Sequence, residues 1–100
     1  MPRVFQYTKT FRKLFDRLPE TRKRLMLKCM EALKPVSEGK APSHGLMIKR
    51  LHVQNEEILY EARAGIDLRI LWIQSKIYFR IVFIGDHDEV QKYIKNSRLP

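Results

Sequence analysis

A single cysteine, Cys29, among 100 residues excludes an internal disulfide framework. It falls on the apolar stripe of a helical segment, where a thiol serves packing rather than nucleophilic chemistry. No apolar run reaches the roughly 18 residues a membrane span needs, and no apolar stretch follows a basic N-terminus as in a secretion signal. A cytoplasmic protein with no membrane partner is therefore expected. There is no G-x-S-x-G nucleophile turn and no Gly-rich phosphate loop. His44, His52, His87 and Cys29 do not stand at metal-ligand spacings, so neither a metal nor a cofactor is expected. Acidic residues are scarce as well: 11 Asp and Glu face 20 Lys and Arg, for a net charge of +9. The shortage is confined to residues 1–50, which carry 13 basic and 4 acidic side chains, whereas residues 51–100 carry 7 of each. Such a balance favours a polyanionic partner, nucleic acid first.

With 44% hydrophobic residues, the chain has enough apolar material for one core, and residues 1–100 are expected to form a single domain. Residues 4–7, VFQY, suit a short first strand. Phe11, Leu14, Phe15 and Leu18 then recur at helical spacing, up to Pro19. Leu25, Met26, Cys29, Met30, Ala32 and Leu33 form one apolar arc of a second helix, which Pro35 is expected to end. Its opposite face carries Lys23, Arg24, Lys28, Glu31 and Lys34, with Leu27 stranded among them. PVSEGKAPSHG, 35–45, is a loop by composition. Four strand-like runs follow at 46–53, 57–64, 68–75 and 77–84, with short turns between them, and the pattern predicts an antiparallel meander. The last two runs are apolar at both parities, as central strands are. Asp86 and Glu89 then make a D-x-x-E capping box opening a short helix. The fold class is thus α+β: two N-terminal helices packed on a curled antiparallel sheet, order β-α-α-β-β-β-β, with a short C-terminal helix.

Arginines inside the apolar runs need a reason, because a buried guanidinium must face an anion or a carboxylate of the protein itself. Period-2 reasoning puts Glu61 and Arg63 on one side of their strand and Arg80 on the side of Tyr78, with Arg69 on the strand between. A cleft holding Arg63, Arg69 and Arg80, with Arg50, His52 and His87 at its margins, would clamp phosphates. The alternative is an internal network in which Arg63 and Arg69 pair with Glu61 and Asp67. Tyr60, Trp72, Tyr78 and Phe79 can stack on bases, although aromatics on central strands more often pack in a core.

KRL at 49–51, YEARAGIDLRILW at 60–72 and GDHDEV at 85–90, in this order and length, resemble the RelE/ParE superfamily of toxins from type II toxin-antitoxin systems. The resemblance covers nearly the whole chain. It implies a metal-independent endoribonuclease that cuts mRNA on a 70S-type ribosome and inhibits translation, neutralised by a cognate acidic antitoxin; the free toxin is expected to be a monomer. Arg69 is similar to the family's phosphate-contacting arginine and Arg63 to a basic residue one strand earlier. His87 stands where related toxins place Arg or His. Arg69, Arg63, His87 and Glu61 are the candidate catalytic residues; Lys49, Arg50, His52, Arg80 and Tyr93 are candidates for RNA contact. The chain departs from better-known members in having Leu59 and Glu61 where they have two lysines, and Gln91 where many have tyrosine. A ParE-like gyrase inhibitor and a catalytically inactive RNA- or ribosome-binding module therefore remain open. Lys23, Arg24, Leu27 and Lys28 are the candidate antitoxin surface, a basic rim around one apolar anchor.

Overall fold

The structure, a computed structural model, describes residues 3–96. β1 (Val4–Tyr7) leads into α1 (Lys9–Asp16), which Thr8 caps: its Oγ1 accepts from the Phe11 N–H at 3.1 Å. α2 (Glu20–Ser37) follows after Pro19. The chain then passes through a 3₁₀ turn at His44–Leu46 into β2 (Lys49–Gln54), β3 (Glu57–Gly65), β4 (Leu68–Gln74) and β5 (Tyr78–Gly85), and ends in α3 (His87–Asn96). The element order expected from the sequence is present. Residues 46–48, expected to open β2, lie in the 3₁₀ turn and the link after it.

Pro35 does not end α2. Its missing N–H falls in the last turn, where only one helical bond is lost, and the stop comes at Gly39. The N–H of Lys40 donates to the Pro35 carbonyl at 3.0 Å and that of Gly39 to the Val36 carbonyl at 3.0 Å, with Gly39 at φ +90°. This is a Schellman closure, and it needs the left-handed conformation that glycine tolerates.

The five strands form one sheet in the order β1-β5-β4-β3-β2. β2 to β5 are the expected antiparallel meander, but β1 joins β5 in parallel, so the sheet is mixed. An apolar pattern encodes which face a residue takes and carries no sign of strand direction. Here α1 and α2 carry the chain from one edge to the other, and the meander returns to β1 running the same way.

α1 and α2 cover one face of the sheet. Phe11, Met26, Cys29 and Leu33 pack there on Ala62, Ile70, Trp72, Phe79 and Ile81. Four rings run across this layer: Tyr60 stacks on Trp72 with centroids 5.4 Å apart, Trp72 on Phe79 at 4.9 Å and Phe79 on Phe5 at 5.2 Å. Trp72 and Phe79 are fully buried, which assigns both to the core rather than to base stacking. α3 covers part of the opposite face, where Val90 meets Leu59, Leu71 and Val82. A register shift between Leu71 and Trp72 leaves Val82 as an extra residue of β5, and Val82 and Phe83 both pack against this second cluster. The expected capping box closes the start of α3: the Glu89 N–H donates to Asp86 Oδ1 at 2.8 Å and the Asp86 N–H to Glu89 Oε1 at 2.9 Å. Gly85 permits the tight return, since a Cβ there would stand 2.9 Å from Glu89 Cβ.

Candidate functional site

The α3-side face of the sheet carries a charged cluster at the end where β5 turns into α3. Register sets Arg63 on β3 directly opposite Arg69 on β4, and Arg69 opposite Gly85 on β5. His87, exposed, opens α3 two residues beyond Gly85. Glu61 lies two residues from Arg63 on the same side of β3, and Lys49 on β2 is its cross-strand neighbour. Four side chains named from the sequence are thus brought to one patch, Glu61, Arg63, Arg69 and Lys49, and His87 stands at the start of α3, two residues beyond the Gly85 that faces Arg69.

Glu61 is 7% exposed, and its Oε1 stands 3.2 Å from Arg69 Nε. Arg69 Nη1 also donates to the Ile66 carbonyl, at 3.3 Å. The guanidinium is held on two sides, which leaves its remaining N–H groups for an outside acceptor. Arg69 therefore faces a carboxylate of the protein itself, one of the two alternatives open from the sequence. The network is smaller than that alternative supposed: among the described residues no ion pair includes Arg63, Lys49 or Asp67. One carboxylate is paired within a patch of three cations, two of them directly across from each other, while Asp67, Asp86 and Asp88 at its margin form no ion pair among the described residues. Like charges in that position are destabilising unless an anion joins them.

His52 also reaches this face. An extra residue, Leu51, breaks the register between Arg50 and His52 and brings His52 opposite Leu59, with its Nε2 buried and lacking a hydrogen-bond partner among the described residues. Two candidates are not with the others. Arg50 pairs with Tyr60 and sits on the helix-side face, because alternation at that step has not yet been shifted by the bulge. Arg80 is on the correct face but pairs with Ile73, four residues along β4 from Arg69, or about 13 Å at the usual rise of a strand. The single cleft expected for Arg63, Arg69 and Arg80 is thus two places, with the α3 cluster between them. Tyr93 stacks on Phe83 at 4.4 Å, and burial raises the pKa of its hydroxyl. Cys29 is buried, and desolvation pushes its thiol up to about 12, as suits a packing residue.

On the opposite side of the molecule, Leu27 is 53% exposed. It borders a hollow of about 280 Å³ between α1 and α2, together with Tyr7, Phe11, Phe15 and Met30. Lys23 lies 6.0 Å above the Phe15 ring, and Arg24 and Lys28 are on the same helix, the latter two exposed. No helix among the described residues is long and apolar enough to cross a membrane.

This arrangement of two helices, a five-stranded mixed sheet and a closing helix is the RelE-like fold. The chain is similar to RelE of Pyrococcus horikoshii OT3, solved in an archaeal RelE-RelB complex, with a TM-score of 0.67 and 22% identity over 86% of this chain and 96% of that one. It is similar to YafQ of E. coli, solved in the DinJ-YafQ toxin-antitoxin complex, with a TM-score of 0.70 and 14% identity over 90% and 98% of the two chains. A YoeB dimer from Staphylococcus aureus matches with a TM-score of 0.64 and 14% identity over 87% and 99%. At these identities the likeness is one of fold. No family model and no curated protein matches the chain.

Proposed function

We propose that this protein is the toxin of a type II toxin-antitoxin pair and a ribosome-dependent, metal-independent endoribonuclease acting on mRNA in the cytoplasm. The observation that carries the reading is the pair of arginines directly opposite each other, with one carboxylate between two strands to offset them. The two facing arginines have a single paired carboxylate between them, and a phosphodiester supplies a second negative charge. The folds of RelE and YafQ, solved with RelB and DinJ, support the toxin class.

Cleavage of RNA by its own 2′-hydroxyl needs a group to take that proton, cations for the charge developing on the phosphorus oxygens, and a proton for the leaving 5′-oxygen. Arg69, held in place by Glu61 and the Ile66 carbonyl, and Arg63 across from it supply the cations. His87, exposed at the mouth, transfers protons, a role imidazole can fill near neutral pH. Glu61 is turned to Arg69 and acts by positioning it. In this reading the second proton transfer falls to groups that the ribosome brings. Lys49 and His52 extend the RNA contact on the same face.

The partner that silences the toxin is an acidic antitoxin segment. Leu27 and the α1/α2 hollow offer it an apolar anchor point, and Lys23, Arg24 and Lys28 offer a basic rim.

In a translation extract the protein should cut mRNA only when ribosomes are present and leave 2′,3′-cyclic phosphate ends. Inhibition of DNA gyrase with mRNA intact would move the assignment to a ParE-like inhibitor. Ribosome binding without cuts would make the chain an inactive binding module.

A further inference from the structure

Arg80 is treated by the fold quite differently from Arg69. It is half-buried on β5, with its guanidinium 4.3 Å above the Tyr78 ring and its Nε donating to Gln6 Oε1 at 3.1 Å. Gln6 comes from β1 and is the cross-strand neighbour of Arg80. Among the described residues no ion pair includes Arg80. The acids closest by register, Glu57 and Glu61, are on β3, two strands away and so about 10 Å off, and Glu61 is bound to Arg69. A neutral acceptor and a ring face orient a guanidinium without removing its charge. Its two Nη nitrogens have no hydrogen-bond or ion-pair partner among the described residues.

Beside it, Tyr78 also borders a hollow of about 540 Å³ between the turn at residues 55–57 and residues 75–78. Glu56 and Glu57 line that hollow together with Lys76, so it offers carboxylates that accept from base amino groups and one ammonium that donates. A cation at Arg80, an aromatic surface at Tyr78 and, in the hollow, two carboxylates beside one ammonium thus stand next to one another.

We propose that Gln6, Tyr78 and Arg80 form a second nucleotide-binding subsite for single-stranded RNA, with Arg80 on a phosphodiester and Tyr78 beside the base that enters the neighbouring hollow. This rests on the reading of the Arg63/Arg69 patch as the site of cleavage and adds where the same strand is held away from the cut. Leu71, Val82 and Val90 fill the space between the two places, so the strand skirts α3 rather than lying flat across the sheet.

The test uses the full chain and 2′-O-methylated RNA, which cannot be cleaved, at lengths of roughly 4 and roughly 16 nucleotides, spanning the usual range of single-strand footprints. Affinity is read by fluorescence anisotropy across a salt series. Arg80→Ala should weaken the long oligonucleotide by about tenfold and lower its salt slope by about one phosphate contact, while leaving the short one unchanged. Tyr78→Ala should weaken the long oligonucleotide by about tenfold as well. Gln6→Glu places a carboxylate against Arg80 without changing shape, so it should weaken long-RNA binding while the melting temperature holds or rises. A purely structural Arg80 would show the opposite pattern: a lower melting temperature for Arg80→Ala and no change in RNA affinity for Gln6→Glu. If Arg69→Ala weakens both lengths but the Arg80 and Gln6 variants weaken neither, the subsite is overturned and the cleavage site stands. If Arg69→Ala changes nothing either, the underlying reading fails with it.

Discussion

The two faces of the sheet are made from the same strands and have opposite characters. On the helix side, alternate residues of β3, β4 and β5 are Ala62, Ile70, Trp72, Phe79 and Ile81, sealed under α1 and α2. On the other side the same strands present Glu61, Arg63, Arg69 and Arg80 around a small apolar centre that one short helix covers. The difference teaches what each layer is for. Two helices have enough apolar surface to close one face completely, and the third leaves room at both its ends for uncompensated charge. In the proposed function, the main core and the RNA chemistry fall on opposite sides of a sheet one residue thick.

That division can be broken most severely from the helix side. Trp72→Ala removes the middle of the ring stack and should cost about 3 to 5 kcal/mol of stability, read by chemical denaturation. Fold and activity should be lost together. Arg69→Ala, on the other face, should remove about 2 to 4 kcal/mol of transition-state stabilisation, read as mRNA cleavage in a translation extract. It also leaves the buried Glu61 carboxylate without its partner, at a cost of about 1 to 3 kcal/mol of stability. Full cleavage by Arg69→Ala would remove the α3-side face from the chemistry.

Glu61→Gln sharpens the contrast with a smaller effect. Glutamine still offers an oxygen to Arg69 Nε, so the melting temperature should change little, while loss of the negative charge should tighten single-stranded RNA binding by roughly two- to tenfold. Weaker RNA binding in this variant would show that Glu61 contacts RNA or the reaction directly instead of orienting Arg69.

The last effect is invisible at neutral pH. Burial raises the Cys29 thiol from 9.0 to about 12, so its contribution to stability is fully present below pH 9. Above that, the unfolded chain releases the proton and the native one retains it, and stability should fall by up to about 1.4 kcal/mol per pH unit until about pH 12. Tyr93, raised in the same direction by burial, should add to the fall at higher pH. Cys29→Ala should flatten the lower part of the curve. An unchanged alkaline profile in that variant would place the loss elsewhere, on Tyr93 first.

Much of this was legible in residue order because the signals were local. The capping box of Asp86 and Glu89 is a spacing of three, the burial of Met26, Cys29 and Leu33 is a helical repeat, and the shared side of Glu61 and Arg63 is a strand repeat. The errors occur where a local rule was interrupted. Pro35 reads as a stop, yet a proline in the last turn loses a single bond, and the helix runs on to Ser37 and closes at Gly39. Arg50 and His52 share a parity in sequence, but the extra residue Leu51 sends them to opposite faces. For the site, which arginines exist and which side of a strand they take could be read in advance. Which of them met could not, because that depends on register between strands.

The sequence by itself determined the kinds of elements, their order and the face on which each side chain falls, since periods of 2 and 3.6 are properties of a single segment. Only the tertiary structure decided that β1 runs parallel to β5, that Glu61 grips Arg69, and that Arg80 lies on the far side of α3 with Gln6 from the other end of the chain. Strand direction and register join segments up to 74 positions apart, and no local period encodes the partner a strand will find.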